Sequence, residues 1–154
     1  MKTRTVALTL ITLFAGATMC FASNPSLGTW KLNEAKSKLS PGLPKNLTAV
    51  LEAVGDNIRV TLDGVDGQGK PTHSEWTGKF DGKDYPVTGD STSDMRSYKT
   101  IDDPTLEFAV KKSGKVTISG KAVVSADGKT RTVTVSGTNA EGKKVTSIAV
   151  YDKQ

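Results

Sequence analysis

Arg96, Ser97 and Tyr98 set a guanidinium and a phenol two residues apart. On an extended strand that spacing puts both side chains on one face. A planar, permanently charged guanidinium beside a phenolic hydroxyl suits the grip of a carboxylate. Trp76 and Phe80 also share a face, and Phe108 and Met95 offer further apolar bulk. Trp76, Met95, Arg96, Tyr98 and Phe108 are therefore the candidate ligand-binding residues, with the apolar members holding a body and the arginine a polar head. Met95 and Arg96 are neighbours, so a regular strand sends them to opposite faces and only one of them points inward.

Other chemistry is poorly supported. His73 is the only histidine. A lone histidine cannot hold zinc without several carboxylates, and no nucleophile elbow surrounds any serine that it might activate. A surface histidine is expected. Asp63 to Gly69 faintly echoes a calcium loop but lacks the alternating oxygen ligands and the closing glutamate. Asp90, Asp94, Asp102 and Asp103 read as loop acids. Asn46-Leu47-Thr48 matches a glycosylation acceptor, which matters only in a eukaryotic secretory path. There is no phosphate loop, dinucleotide fingerprint or cysteine cluster. The expectation is a non-enzymatic protein with no catalytic residue, no metal and no cofactor.

The elements that position these residues show a period of two. Ile58, Val60 and Leu62 alternate with Arg59, Thr61 and Asp63; Leu106, Phe108 and Val110 alternate with Glu107, Ala109 and Lys111. Val116 with Ile118, and Val133 with Val135, repeat the pattern. A helix would scatter these residues, whereas a strand gathers them on one side. Between the runs stand Gly55-Asp56-Asn57, Asp81-Gly82-Lys83, Ser113-Gly114, Ala126-Asp127-Gly128-Lys129 and Ala140-Glu141-Gly142-Lys143. These are turn residues: glycine takes positive φ and the acids satisfy turn backbone. Strands are predicted over 28–33, 46–54, 57–63, 72–80, 84–88, 94–101, 105–112, 115–124, 130–138 and 144–152. One helical turn is allowed at 34–38, before Pro41 and Pro44. The last strand is apolar on both parities, which predicts cover on both faces or closure of a barrel beside the first strand.

The beginning of the chain reads as a targeting segment. Lys2 and Arg4 precede an apolar run from Val6 to Met19, and small residues three apart lead to Ser23. This is the layout of a secretory signal peptide, 1–22, with cleavage after Ala22. The run is shorter than the about 20 residues that span a membrane. Lipidation of Cys20 is disfavoured by Met19 directly before it. Removing 22 of 154 residues takes away Lys2, Arg4 and the only cysteine. The remaining 19 basic and 16 acidic residues leave a net charge of +3, too weak and too dispersed for nucleic acid. Residues 23–154 are expected to form one disulfide-free β domain in the periplasm or the exterior, with no stable membrane insertion.

Many short antiparallel strands joined by tight turns favour an all-β, antiparallel up-and-down barrel of about 8–10 strands over a sandwich, which needs long crossovers. About eight strands can be filled by side chains or can hold one small ligand. Aromatics make up 6% of this chain, and the inward candidates are mostly Val, Ile, Thr and Gly. Such residues fill a wide barrel poorly, so an internal cavity is expected.

Gly28-Thr29-Trp30-Lys31-Leu32 then resembles the Gly-x-Trp opening of calycins, the lipocalins and fatty-acid-binding proteins. That resemblance implies that Trp30 plugs the closed end and that a basic side chain from a late strand, Arg131 or Lys144, packs over it; Arg131 with Trp30 is the barrel-closing pair. Fatty-acid-binding proteins also grip a carboxylate with an Arg-x-Tyr pair, though theirs lies on the last strand and Arg96-x-Tyr98 lies mid-chain. The helical pair of that family does not fit between residues 34 and 45, and the later lipocalin motifs are absent. The chain as a whole, including Tyr85-Pro86-Val87-Thr88-Gly89, is similar to uncharacterised exported bacterial proteins, a resemblance that implies a compartment and no activity. The expected function is an exported protein binding a small apolar or amphipathic molecule inside a calycin-like barrel. The other readings are a non-catalytic envelope interaction module with a filled barrel, and a barrel enzyme, such as an isomerase or hydrolase on an enclosed substrate, which would need a buried ionisable residue with a perturbed pKa in the pocket.

Overall fold

The computed structural model describes residues 24–139 and 141–154. The expected cleavage site and Cys20 lie outside them. The described residues form ten antiparallel strands: β1 (Gly28–Leu32), β2 (Lys45–Val54), β3 (Asn57–Val65), β4 (Pro71–Gly78), β5 (Tyr85–Thr88), β6 (Met95–Asp102), β7 (Thr105–Lys112), β8 (Lys115–Val124), β9 (Thr130–Thr138) and β10 (Lys144–Lys153). Each pairs with its neighbours in sequence, and β10 pairs with β1, so the sheet closes as an up-and-down barrel. The two-sided apolar pattern of β10 thus belongs to the closing strand. Trp30, Lys31 and Leu32 lie opposite Lys153, Asp152 and Tyr151.

The alternating residues bury one parity. Ala49 and Leu51, Val60, Trp76, Val87, Tyr98, Val124, Ala149 and Tyr151 form one continuous core cluster. Turn chemistry sets the registers: β7 and β8 are joined through Ser113 and Gly114, both at positive φ (50° and 77°), with Lys112 opposite Lys115.

The connection 33–44 follows the seam. Asn33 caps a single 3₁₀ turn, Glu34–Lys36. Lys38 then exchanges backbone hydrogen bonds with Ile148, and Ser40 N–H donates to Ser147 Oγ at 2.9 Å. Leu43 is buried, and its Cδ2 lies 3.0 Å from where a side chain at Gly137 would begin. Beyond the end of β1, this segment takes over as the backbone neighbour of β10.

Near the opposite end, Trp30 is fully buried, and its indole N–H donates to the Ser26 carbonyl at 2.9 Å. The cation over its ring is Lys153, with Nζ 5.1 Å from the centroid. Gly28 is needed here because its φ of 124° is a backbone conformation that L side chains rarely adopt.

The thinnest part of the wall is β5. It pairs with β4 at two positions and with β6 at two. Residues after β4 reinforce it: Gly82 N–H donates to Tyr98 O (2.8 Å), and Thr100 N–H to Phe80 O (3.2 Å). The predicted strand 72–80 therefore ends early, at Gly78, as the chain leaves β4 to lie along β6.

Candidate binding site

Behind this thin wall sits an aromatic cluster. Trp76 packs edge-on against Tyr98 (4.8 Å between centroids) and Tyr85 (5.7 Å), and stacks with Phe80 at 6.2 Å. Its indole N–H donates to the Arg96 carbonyl at 2.8 Å, past the short β5. Phe108 lies 6.0 Å from Tyr98. Its ring covers Gly120, where an added Cβ would stand 2.5 Å from Phe108 Cζ. The register places Tyr98, Phe108, Gly120, Val135 and Ser147 in one inward row across β6–β10. Bulk is concentrated on the β4–β7 side of that row, and small side chains on the β8–β10 side.

Of the five candidate ligand-binding residues, Trp76, Arg96, Tyr98 and Phe108 come together on the inner face. Met95 does not. It lies opposite Pro86 and Lys111, on the other face of β6, and the parity conflict with Arg96 is resolved in favour of the arginine. Arg96 is buried among Tyr85 and Val110 as register partners. Its Nε and Nη1 have no hydrogen-bond partner among the described residues.

Asp90, at the mouth formed by the β5–β6 connection, answers part of that charge. Burial works to raise the Asp90 pKa, but hydrogen bonds from Ser93 and Thr92 and the Arg96 charge hold it below the ordinary carboxylate value. Asp90 was expected to be a plain loop acid. Nothing in its sequence neighbourhood marks it as lying within reach of the Arg96 charge.

Arg131 occupies a different place. It is inward on β9, opposite Tyr151 and Val124. Only 6% of its surface is exposed, and its Nε has no partner among the described residues. Burial lowers its pKa, and the hydroxyls of Tyr98 and Tyr151 oppose that shift. Tyr151 donates to the Asn46 carbonyl at 3.0 Å, and burial pushes its own pKa up to about 12, with the Arg131 charge pulling the other way. Tyr151 was missed as a site residue, although it shares parity with Val145 and Ala149. The cation over Trp30, where the resemblance put Arg131, is Lys153.

His73 is exposed on the outer face of β4, with Nδ1 2.7 Å from Asp63 Oδ1 and Nε2 3.6 Å from Glu75. Those carboxylates raise its pKa, led by the Asp63 hydrogen bond. Among the described residues no three His, Cys, Asp or Glu side chains are grouped to hold a metal. An open trough of about 380 Å³ is lined by Glu107, Ser119, Lys121, Thr134 and Ser136, all of the outer parity, and reaches Phe108 and Gly120 of the inner row. The inner arrangement brings together apolar rings, three phenols (Tyr85, Tyr98 and Tyr151) and two buried guanidinium groups. The class defined by this geometry is a closed up-and-down β-barrel with a polar-tipped aromatic interior. Compared with known protein-family models and with curated proteins, the chain matches none.

Proposed function

We propose that this chain is an exported, non-catalytic binding protein that holds a small, partly apolar molecule inside its barrel, in the manner the calycin resemblance implies. One observation carries the reading: the inner surface is lopsided. Trp76, Phe80, Tyr85, Tyr98 and Phe108 crowd one wall, while the facing strands present Gly120, Gly137, Ala122, Val135, Ser147 and Ala149 beside the larger Arg131 and Tyr151. Ten closed strands surround more space than eight, and a lean wall leaves less to fill it. An interior lined this way suits an apolar guest. The export half of the proposal stands on Lys2, Arg4, the run Val6 to Met19 and the small residues before Ser23.

Native mass spectrometry of protein purified from its own cell envelope tests both halves. The expected result is a mass beginning at Ser23 with a co-purified small molecule, together with enhanced fluorescence of the neutral probe N-phenyl-1-naphthylamine. A bare apo mass and a dark probe would leave the filled interaction module instead.

A further inference from the structure

We infer that the interior is entered through its side: β5 is a gate that lifts from between β4 and β6, and Trp76 is its latch. This rests on the container reading above and adds the guest's route to it. Both ends of the barrel are obstructed. At one, Trp30 is fully buried with Lys153 over its ring. Across the other runs the connection 33–44, which at Gly42 bridges the β3–β4 and β9–β10 turns. The Gly42 carbonyl lies 2.8 Å from where a side chain at Gly67 would begin, and Asn139 Cβ lies 3.2 Å from where one at Gly42 would begin. Leu43, next along, is buried. The wall between the ends is thinnest at β5. β2 meets β3 at nine positions and β9 meets β10 at nine, whereas β5 meets each neighbour at two. The seam at β1 is short too, but the connection 33–44 prolongs it with backbone bonds from Asn33 and Lys38 to β10.

β5 is four residues long, and Pro86 within it has no N–H to give a ladder. Of its side chains only Val87 is buried, while Pro86 and Thr88 are exposed. One further bond, from Val87 N–H to the Asp94 carbonyl at 3.0 Å, holds it. Lifting β5 therefore breaks few bonds and uncovers little apolar surface, the conditions under which a fold opens locally. The frame around it is firmer. Gly82 N–H and the Phe80 carbonyl are bonded to β6 on one side of the segment, and Asp94 N–H is bonded to the Lys111 carbonyl on the other. Across the weak stretch β4 is tied to β6 by a side chain, the Trp76 indole N–H on the Arg96 carbonyl at 2.8 Å. Strands two ladder spacings apart stand about 9–10 Å from each other, so the slot left by β5 admits an alkyl chain or a ring edge-on. It opens onto Trp76, Tyr85 and Tyr98, at the aromatic wall of the container.

Stopped-flow uptake of N-phenyl-1-naphthylamine by the purified protein tests the gate. Glu75 stands opposite Thr88, and Pro86 opposite Met95, all four on the outer face. A variant combining Glu75→Cys, Thr88→Cys, Pro86→Cys and Met95→Cys carries its only cysteines there once residues 1–22 are removed. Oxidation then staples β5 to both neighbours. The staple is expected to slow uptake about tenfold or more, and reduction to restore it. A second staple, Lys38→Cys with Ile148→Cys, pins the connection 33–44 to β10 and is expected to leave the rate unchanged. An unslowed β5 staple overturns the gate, and so does a slowed second staple, which puts the entrance at the mouth. Should the four-cysteine variant fail to fold, hydrogen exchange of the wild-type protein decides. Amides of 83–90 are expected to exchange about tenfold or more faster than those of β2 and β3, and faster still in Trp76→Phe, which keeps the bulk and loses the N–H. Protection equal to that of β2 and β3 overturns the gate. A probe that stays dark with the wild-type protein sinks the container reading itself, and the gate with it.

Discussion

Arg96 and Arg131 are both buried inside the barrel, yet they live in opposite electrostatic settings. Arg96 lies near the mouth, behind the thin β5 wall, with its carbonyl held by Trp76 and its charge sensed by Asp90. Arg131 projects from the start of β9 toward two neutral phenols. The first is embedded in the packing that makes the wall. No acid plays the part of Asp90 for Arg131, although both arginines leave Nε without a hydrogen-bond partner among the described residues, and Arg96 leaves Nη1 without one as well. Burial alone therefore does not define a structural arginine; the counter-charge does.

The largest way to sharpen this contrast is at the Arg96 wall. Trp76→Ala removes a fully buried ring and the 2.8 Å bond to the Arg96 carbonyl, and is expected to cost about 3–5 kcal/mol in urea denaturation. A loss under 1 kcal/mol would mean that β5 needs no aromatic support. Next come the arginines themselves. Arg131→Met replaces an unpaired buried charge by an apolar side chain of similar length, and is expected to stabilise the ligand-free protein by about 1–3 kcal/mol. Arg96→Met leaves Asp90 without its cation and is expected to give a smaller gain or a net loss. Equal shifts in the two variants would erase the distinction.

The smallest effect is confined to alkaline pH. The Tyr151 pKa is about 12 in the folded protein, against an ordinary phenol near 10. Between those values the unfolded chain has lost a proton that the folded one keeps. The stability Tyr151 contributes is thus complete below pH 10 and declines as pH rises toward 12. Ultraviolet titration at 295 nm should show a phenol titrating near 12, lost in Tyr151→Phe and later still in Arg131→Met, since the Arg131 charge pulls that pKa down. A phenol unmoved by Arg131→Met would place the two groups further apart than the structure does.

Much of this was legible in the residues. The ten strands follow from the period of two and from the turns, because alternation and tight reversal are local signals. The inward pairing of Arg96 with Tyr98 was legible as a two-residue spacing. Whether Met95 or Arg96 faced inward was not, since the ordinary rule sends the arginine out and the methionine in. The cation over Trp30 was misassigned to Arg131 for a similar reason. Its true owner, Lys153, is set by the register Trp30–Lys153, which exists only once β10 is known to mate with β1. Asp90 and Tyr151 acquire their meaning through cross-barrel proximity, which no local pattern encodes.

That mating has a consequence for how the protein is made. The hoop is fastened by three residue pairs between β1 and β10, joining Trp30, Lys31 and Leu32 to positions more than a hundred residues downstream. Hairpins β2 to β9 can assemble as they emerge, but the clasp cannot engage until Tyr151 to Lys153 are available. Contacts so distant in sequence form late and slowly. Until then two raw strand edges are exposed, and the fold cannot lock before its final strand arrives.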